Sequence, residues 1–227
     1  MADDYRRTPY EGPAEDVKAN KKIVEQHIKQ DHAKAIDMHE LLRKNDEPYK
    51  LEFIKAYGGK CAYCGVSIEL IDALQFEIDH FIPYTDQRRF KTKKDAGYMD
   101  NLALSCYYCN RKKHEYSISD EYLKILHPDG ENIKKCYIRN DEYYIKVNPD
   151  MEADMDVVGF YDKLCLGVEM HRLDYLLMRM MGLQEKHQED ERLNEKLGTA
   201  IDLLKKKRNV CISARFIDKK LEKRENK

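Results

Sequence analysis

An α+β fold, mostly helical, is predicted by three features of the chain. Apolar residues recur at helical spacing in two long stretches, 17–42 and 173–204. Between them lie shorter apolar runs at 76–83 and 102–106, and an alternating, hairpin-like stretch at 134–147. Two Cys-x-x-Cys pairs embrace the first two of these runs. With 227 residues there is enough chain for a real core, but 37% of them are charged, so most helices must keep one wet face.

Each element has its own reason. Residues 1–16 carry Pro9, Gly12, Pro13 and several charges, and read as a mobile arm. Val24, Ile28, Ala35, Met38, Leu41 and Leu42 mark one helix running from about residue 17 to 42, broken by "RKNDEP" at 43–48. "YKLEFIKAY" is a second, short helix stopped by Gly58-Gly59. "FEIDHFIP" is strand-like, and "CYYCNRKKHEY" is a helix entered from a tight knuckle. The alternation over 134–147 predicts a hairpin turning at Asn140-Asp141 and ended by Asn148-Pro149. Beyond it, Leu173, Leu176, Met180 and Leu183, then Leu193, Leu197, Ile201 and Leu204, flank the polar "QEKHQEDER" as a stripe that reads as core or as a helix–helix seam. Three regions result: an arm and helix (1–48), a core (49–118), and a hairpin with a C-terminal helical region (119–227).

Charge narrows the function. The net charge of −1 excludes indiscriminate coating of nucleic acid. Residues 84–116 nevertheless hold eight Lys or Arg against four Asp or Glu, whereas 141–156 is acidic, so a polyanion should meet the first region. No run of about 18 apolar residues exists and the N-terminus lacks a signal-peptide core, which predicts no membrane contact and a cytoplasmic location with reduced thiols. "KKKR" at 205–208 reads as a solvated helix-end cluster, and Cys136, Cys165 and Cys211 as unpatterned thiols.

The strongest signal is the cysteine spacing. Cys61 and Cys64 form one pair, Cys106 and Cys109 the other, and together they offer the four soft ligands that Zn²⁺ binds tetrahedrally. Gly65 supplies the tight turn such a knuckle needs. One pair alone would equally suit a redox site or buried thiols. Two pairs around a polar insertion favour a structural zinc, which forces Asp79-His80, Asn101 and Asn110 towards one another.

Taken together, "CAYCG", "IDHFIP", "DNLALSC" and "CYYCNRKK" resemble the zinc-braced HNH endonucleases over roughly residues 50–116. The resemblance implies a ββα-metal core, a hairpin and helix wrapped on one catalytic Mg²⁺ or Mn²⁺, that hydrolyses DNA phosphodiesters. His80 matches the general base and Asp79 a ligand of the catalytic ion. Asn101 matches the residue bracing the loop that carries the histidine, and Asn110 the second metal ligand. Asp79 and His80 are neighbours that a regular strand would send to opposite faces, so these roles require the strand to end or bend there, with Pro83 close by. Arg88, Arg89, Lys91, Lys93, Lys94, Arg111, Lys112, Lys113 and His114 are the expected nucleic-acid contacts. Tyr107 and Tyr108 stack on a sugar or base, or pack on the zinc loop.

The competing class is a zinc-stabilised module that binds nucleic acid or docks a partner without catalysis. An HNH core set among helices also resembles restriction and antiphage effectors, including the retron- and Septu-associated kind. By that analogy the C-terminal helices would dock a regulatory ATPase, another protein subunit or a second copy.

Overall fold

A computed structural model describes residues 4–44 and 48–225, with side chains through Cys211. The chain opens with α1 (Val17–Asp31), α2 (Met38–Leu42) and α3 (Pro48–Ala56), then β1 (Phe76–His80), β2 (Leu102–Cys106) and α4 (Tyr107–Lys113). The short α5 (Leu123–Leu126) and α6 (Ile133–Cys136) lead to β3 (Tyr137–Arg139) and β4 (Ile145–Val147). Three helices follow: α7 (Met155–Leu164), α8 (Glu169–Lys186) and α9 (Glu191–Glu225). Among the described residues the sheets are two antiparallel pairs, β1–β2 and β3–β4, so the α+β, mostly helical expectation holds. No helix among these residues is long and apolar enough to cross a membrane.

The expected single helix over 17–42 is two. Asp16 caps α1 and Asp37 caps α2, each accepting from the backbone three residues on, and the chain turns between them after His32. Met38 N–H donates 2.8 Å to the Gly97 carbonyl, which seats α2 on the loop before β2. Apolar residues continue in phase through the break because both pieces pack on one core, so periodicity concealed it. "RKNDEP" lies partly outside the described residues.

The arm expected to be mobile is packed on the core at Tyr5 and Arg6. Tyr5 is buried and donates to the Tyr63 carbonyl at 2.8 Å. The Arg6 guanidinium donates to the carbonyls of Ala62 and Pro128, both at 2.8 Å. A charged segment is fixed here because its donors answer loop carbonyls that no sheet or helix satisfies.

The core gathers α1–α3, the β1–β2 hairpin, the β3–β4 hairpin and α7 around Phe53, Tyr63, Phe76, Phe81, Tyr137 and Phe160. α8 and α9 pack along each other as the sequence stripe predicted, with Leu173, Leu197 and Ile201 buried.

Candidate active site and metal centre

The hairpin is set by a regular register. Phe76 faces Cys106, Ile78 faces Leu104, Asp79 faces Ala103 and His80 faces Leu102. The β2 strand then enters α4 directly, and this helix folds back along the hairpin.

The four cysteines sit at the open end of the hairpin, where Cys106 faces Phe76. All four are buried and their sulfurs lie within 4.8 Å of one another. A tetrahedral site with metal–sulfur bonds of about 2.3 Å has sulfurs roughly 3.8 Å apart. Cys64 and Cys106 stand at 3.8 Å. Cys106 caps α4 by accepting from Cys109 N–H, which makes the second knuckle a helix start. Gly65 is at φ +80°, and a β-carbon there would lie 2.3 Å from the Arg6 carbonyl oxygen, so only glycine fits. Burial pushes the Cys64 and Cys109 thiols well up. Burial acts the same way on Cys61, but hydrogen bonds from Cys106, Cys109 and Cys64 outweigh it and hold that thiol well down. The donor set therefore fits a dication, which would stabilise all four as thiolates.

Beside this cluster, β1 presents two different faces. On the α4 side lie Glu77 and Asp79. Glu77 accepts from Asn110 Nδ2 at 2.5 Å and from Arg111 at 3.0 Å. Asp79, only 5% exposed, accepts from the Tyr63 hydroxyl at 2.5 Å and from Lys113 at 3.0 Å. Burial raises the Asp79 pKa, against the opposing pull of Lys113 and Tyr63.

On the other side lies His80, 8% exposed. Its ring meets His39 of α2 at 4.2 Å between centroids and Tyr84 at 5.8 Å. Its Nε2 is buried without a hydrogen-bond partner. Burial, then the charges of His39, Lys113 and Lys93, pull its pKa down to about 3, so the imidazole is neutral near pH 7.

The strand ends at His80 but does not bend there: the register stays regular through His80, and the side chains of Asp79 and His80 diverge. Pro83 ends nothing within β1, because pairing carries on past His80, with Phe81 N–H on the Asn101 carbonyl at 2.8 Å. Nor does Asn110 meet Asp79. The helix repeat carries Asn110 to Glu77 and Lys113 to Asp79, matching positions two apart on the strand to positions three apart on the helix.

Asn101 is fully engaged with the loop after β1. Its Oδ1 accepts from Ile82 N–H at 2.8 Å, and its Nδ2 donates to the carbonyls of Ile82 and Ala96 at 3.0 and 2.9 Å.

The basic residues divide. Lys113 has no exposure and lies on Asp79 and the His80 carbonyl, so it is not positioned to reach a phosphate. Arg88 and Arg89 both hold the buried carboxylate of Asp86, and Arg89 also reaches Asp120. Lys91, Lys93 and Lys94 are exposed and make no ion pair among the described residues. Lys93 lies on the His80 side, where it approaches the Tyr84 ring at 5.2 Å. Arg111 and Lys112 lie over Tyr107 and Tyr108. His114 caps α4 at φ +48° and is exposed, so it leaves the helical face of Asn110.

Sequence reasoning missed Glu77, Tyr63, His39 and His171. Glu77 was legible, since it alternates with Asp79 in "FEIDH" and must share its face. His171 of α8 brings Nε2 within 3.9 Å of Cys109 Sγ, across 62 residues of sequence.

Neither the curated proteins nor the solved structures contain a match to the chain. Residues 61–115 match the family model described as HNH endonuclease. The matched segment holds both cysteine pairs, the hairpin and α4, and leaves out α1–α3 and everything from Tyr116 onwards. Within a mostly helical chain, residues 61–115 are thus similar to an HNH endonuclease domain, and their ββα arrangement and four-cysteine cluster fit the zinc-braced kind.

Proposed function

We propose that the protein is a metal-dependent endonuclease that hydrolyses DNA phosphodiester bonds, with His80 as general base. The observation that carries this is the placement of His80. A neutral imidazole with a buried, partnerless Nε2 ends β1 on the side of Lys93, and the neighbouring Lys91 and Lys94 are exposed and free for phosphates. Nε2 accepts the proton of the attacking water, and a phosphodiester brought alongside raises the basicity of the ring through its negative charge. Asn101 fixes the loop leaving His80 through Ile82. Asp79 and Asn110 are the oxygen ligands proposed for Mg²⁺ or Mn²⁺, and Glu77 adds a third on the same face. Such an ion, when bound, supplies charge stabilisation to the transition state and the leaving oxygen.

This chemistry requires a rearrangement. Asp79 must part from Lys113, and the end of β1 must turn so that His80 and Asp79 serve one phosphate. The Asp79–Lys113 pairing, the divergence of Asp79 and His80, and the pairing of Asn110 with Glu77 favour a second reading, a zinc-braced nucleic-acid-binding module without catalysis. Plasmid nicking with Mg²⁺ or Mn²⁺ separates the two. Wild-type protein, zinc-loaded and folded, should nick, and His80→Ala should lose the activity by about 10²-fold or more. Absence of metal-dependent cutting in both proteins sinks the nuclease reading.

A cytoplasmic setting suits the cluster, because thiols kept reduced remain open to zinc. A role as a defence effector, with a regulatory ATPase or other subunit on the α8–α9 hairpin, rests on the same analogy and on the exposed Leu203 and Val210 of α9.

A further inference from the structure

His39 lies outside the matched HNH segment, yet it forms one wall around His80. The α2 helix that carries it is fixed at its start. Met38 N–H donates to the Gly97 carbonyl at 2.8 Å, and a β-carbon at Gly97 would stand 2.0 Å from Asp37 Oδ1. The same loop is held at Ala96 by Asn101. α2 and the loop after β1 therefore share one anchor.

The ring of His39 is oriented by β1 itself. Its Nε2 lies 3.2 Å from the carbonyl of Ile78, two residues before His80. A carbonyl only accepts, so Nε2 carries the proton and Nδ1 is a bare lone pair. That Nδ1 is buried and has no hydrogen-bond partner, as is Nε2 of His80. The rings lie 4.2 Å apart at 35°, a tilted stack with no hydrogen bond between them. Stacked in this way, His39 fixes the plane of His80 without competing for its nitrogen.

We propose that His39 is a positioning residue for His80, which makes the N-terminal helices part of the nuclease site. The proposal rests on His80 being the base. His39 does not touch the reacting atoms. It limits the rotation of the imidazole, so that Nε2 keeps one direction when a substrate arrives.

Cleavage kinetics of the zinc-loaded full chain test it, with His39→Ala and His39→Phe beside the wild type. His39→Ala should lower kcat roughly tenfold with KM for DNA nearly unchanged, and His39→Phe, which keeps a ring on His80, should recover most of the loss. Equal kcat in wild type and His39→Ala overturns the proposal. So does a loss that His39→Phe does not recover while zinc content and melting temperature match the wild type. The His80 ring signals in a ¹H–¹³C spectrum are a readout independent of cutting. They should move in His39→Ala and return towards wild type in His39→Phe, and unmoved signals overturn the proposal even if the wild type proves unable to cut. A wild type without activity but with shifting His80 signals removes the nuclease reading while leaving the orienting contact supported.

Discussion

Lys113 and Asp79 form an ion pair inside the segment that matches the HNH endonuclease model, with the ammonium 3.0 Å from the carboxylate and no solvent exposure on the lysine. The same ammonium donates to the His80 carbonyl at 2.6 Å, so one cation ties together the backbone and the acid at the end of β1. Strand alternation sends the two neighbours Asp79 and His80 to opposite faces, and the lysine meets the first of them. Asp79 is held inward under α4, and His80 is left to the opposite side.

Removing the lysine alone should therefore be costly. Lys113→Met leaves Asp79 buried beside Tyr63 without a counter-charge, and should destabilise the zinc-loaded protein by about 3–5 kcal/mol in chemical denaturation. The double variant Lys113→Met, Asp79→Asn should be less destabilised than the sum of the two single changes, because no buried charge is then left alone.

Zinc should be stoichiometric with the chain, at one ion for the four cysteines. Cys106→Ser removes a ligand and also the thiolate that caps α4, so it should lower bound zinc and broaden or abolish the cooperative unfolding transition. Metal analysis and thermal melts check both effects. Full zinc retention in Cys106→Ser would exclude this cysteine as a ligand.

Asp86 should make part of the stability acid-sensitive. Hydrogen bonds from Arg88 and Ser117, with the charge of Arg89, hold its carboxyl well below the usual carboxylate range despite burial. A carboxyl lowered on folding stabilises the folded state above its unfolded pKa of about 3.9 and loses that contribution as pH falls through the folded value. Asp86→Asn should cost about 1–3 kcal/mol at pH 7, and the gap to wild type should close progressively below pH 4. Urea melts at a series of pH values measure it. A gap that widens towards acid contradicts the assignment.

DNA affinity should depend on the lysines more than on the arginines. Replacing Lys91, Lys93 and Lys94 by Ala should weaken binding and flatten its salt dependence, by close to one unit of slope for each phosphate no longer neutralised. Arg89→Ala should instead lower the melting temperature with little change in slope, since this arginine is engaged with Asp86 and Asp120. Fluorescence anisotropy across a salt series distinguishes them.

The cysteine framework, the hairpin and α4 were legible because each depends on local spacing: two-residue knuckles, strand length, and a helix with no breaker after Cys109. The seam between α8 and α9 was legible for the same reason. What escaped was decided at long range. Tyr5 and Arg6 look like parts of a loose arm until carbonyls 56 to 122 residues away give them acceptors. Arg88, Arg89 and Lys113 look like phosphate contacts until Asp86 and Asp79 are found within reach. His39 carries no sequence mark at all, since a histidine beside a buried methionine on a short helix has many ordinary explanations.

Arg6 has a consequence for how the protein is made. It leaves the ribosome well before its partners at Ala62 and Pro128, and before the Arg139 side chain that donates to the Tyr5 carbonyl. The segment around it must wait, unpaired, while the zinc knuckle and the second hairpin are synthesised, and only then closes over them. A piece of chain translated early thus docks fully only after residue 139 has been made, and a bulky tag fused directly before it should hinder that docking.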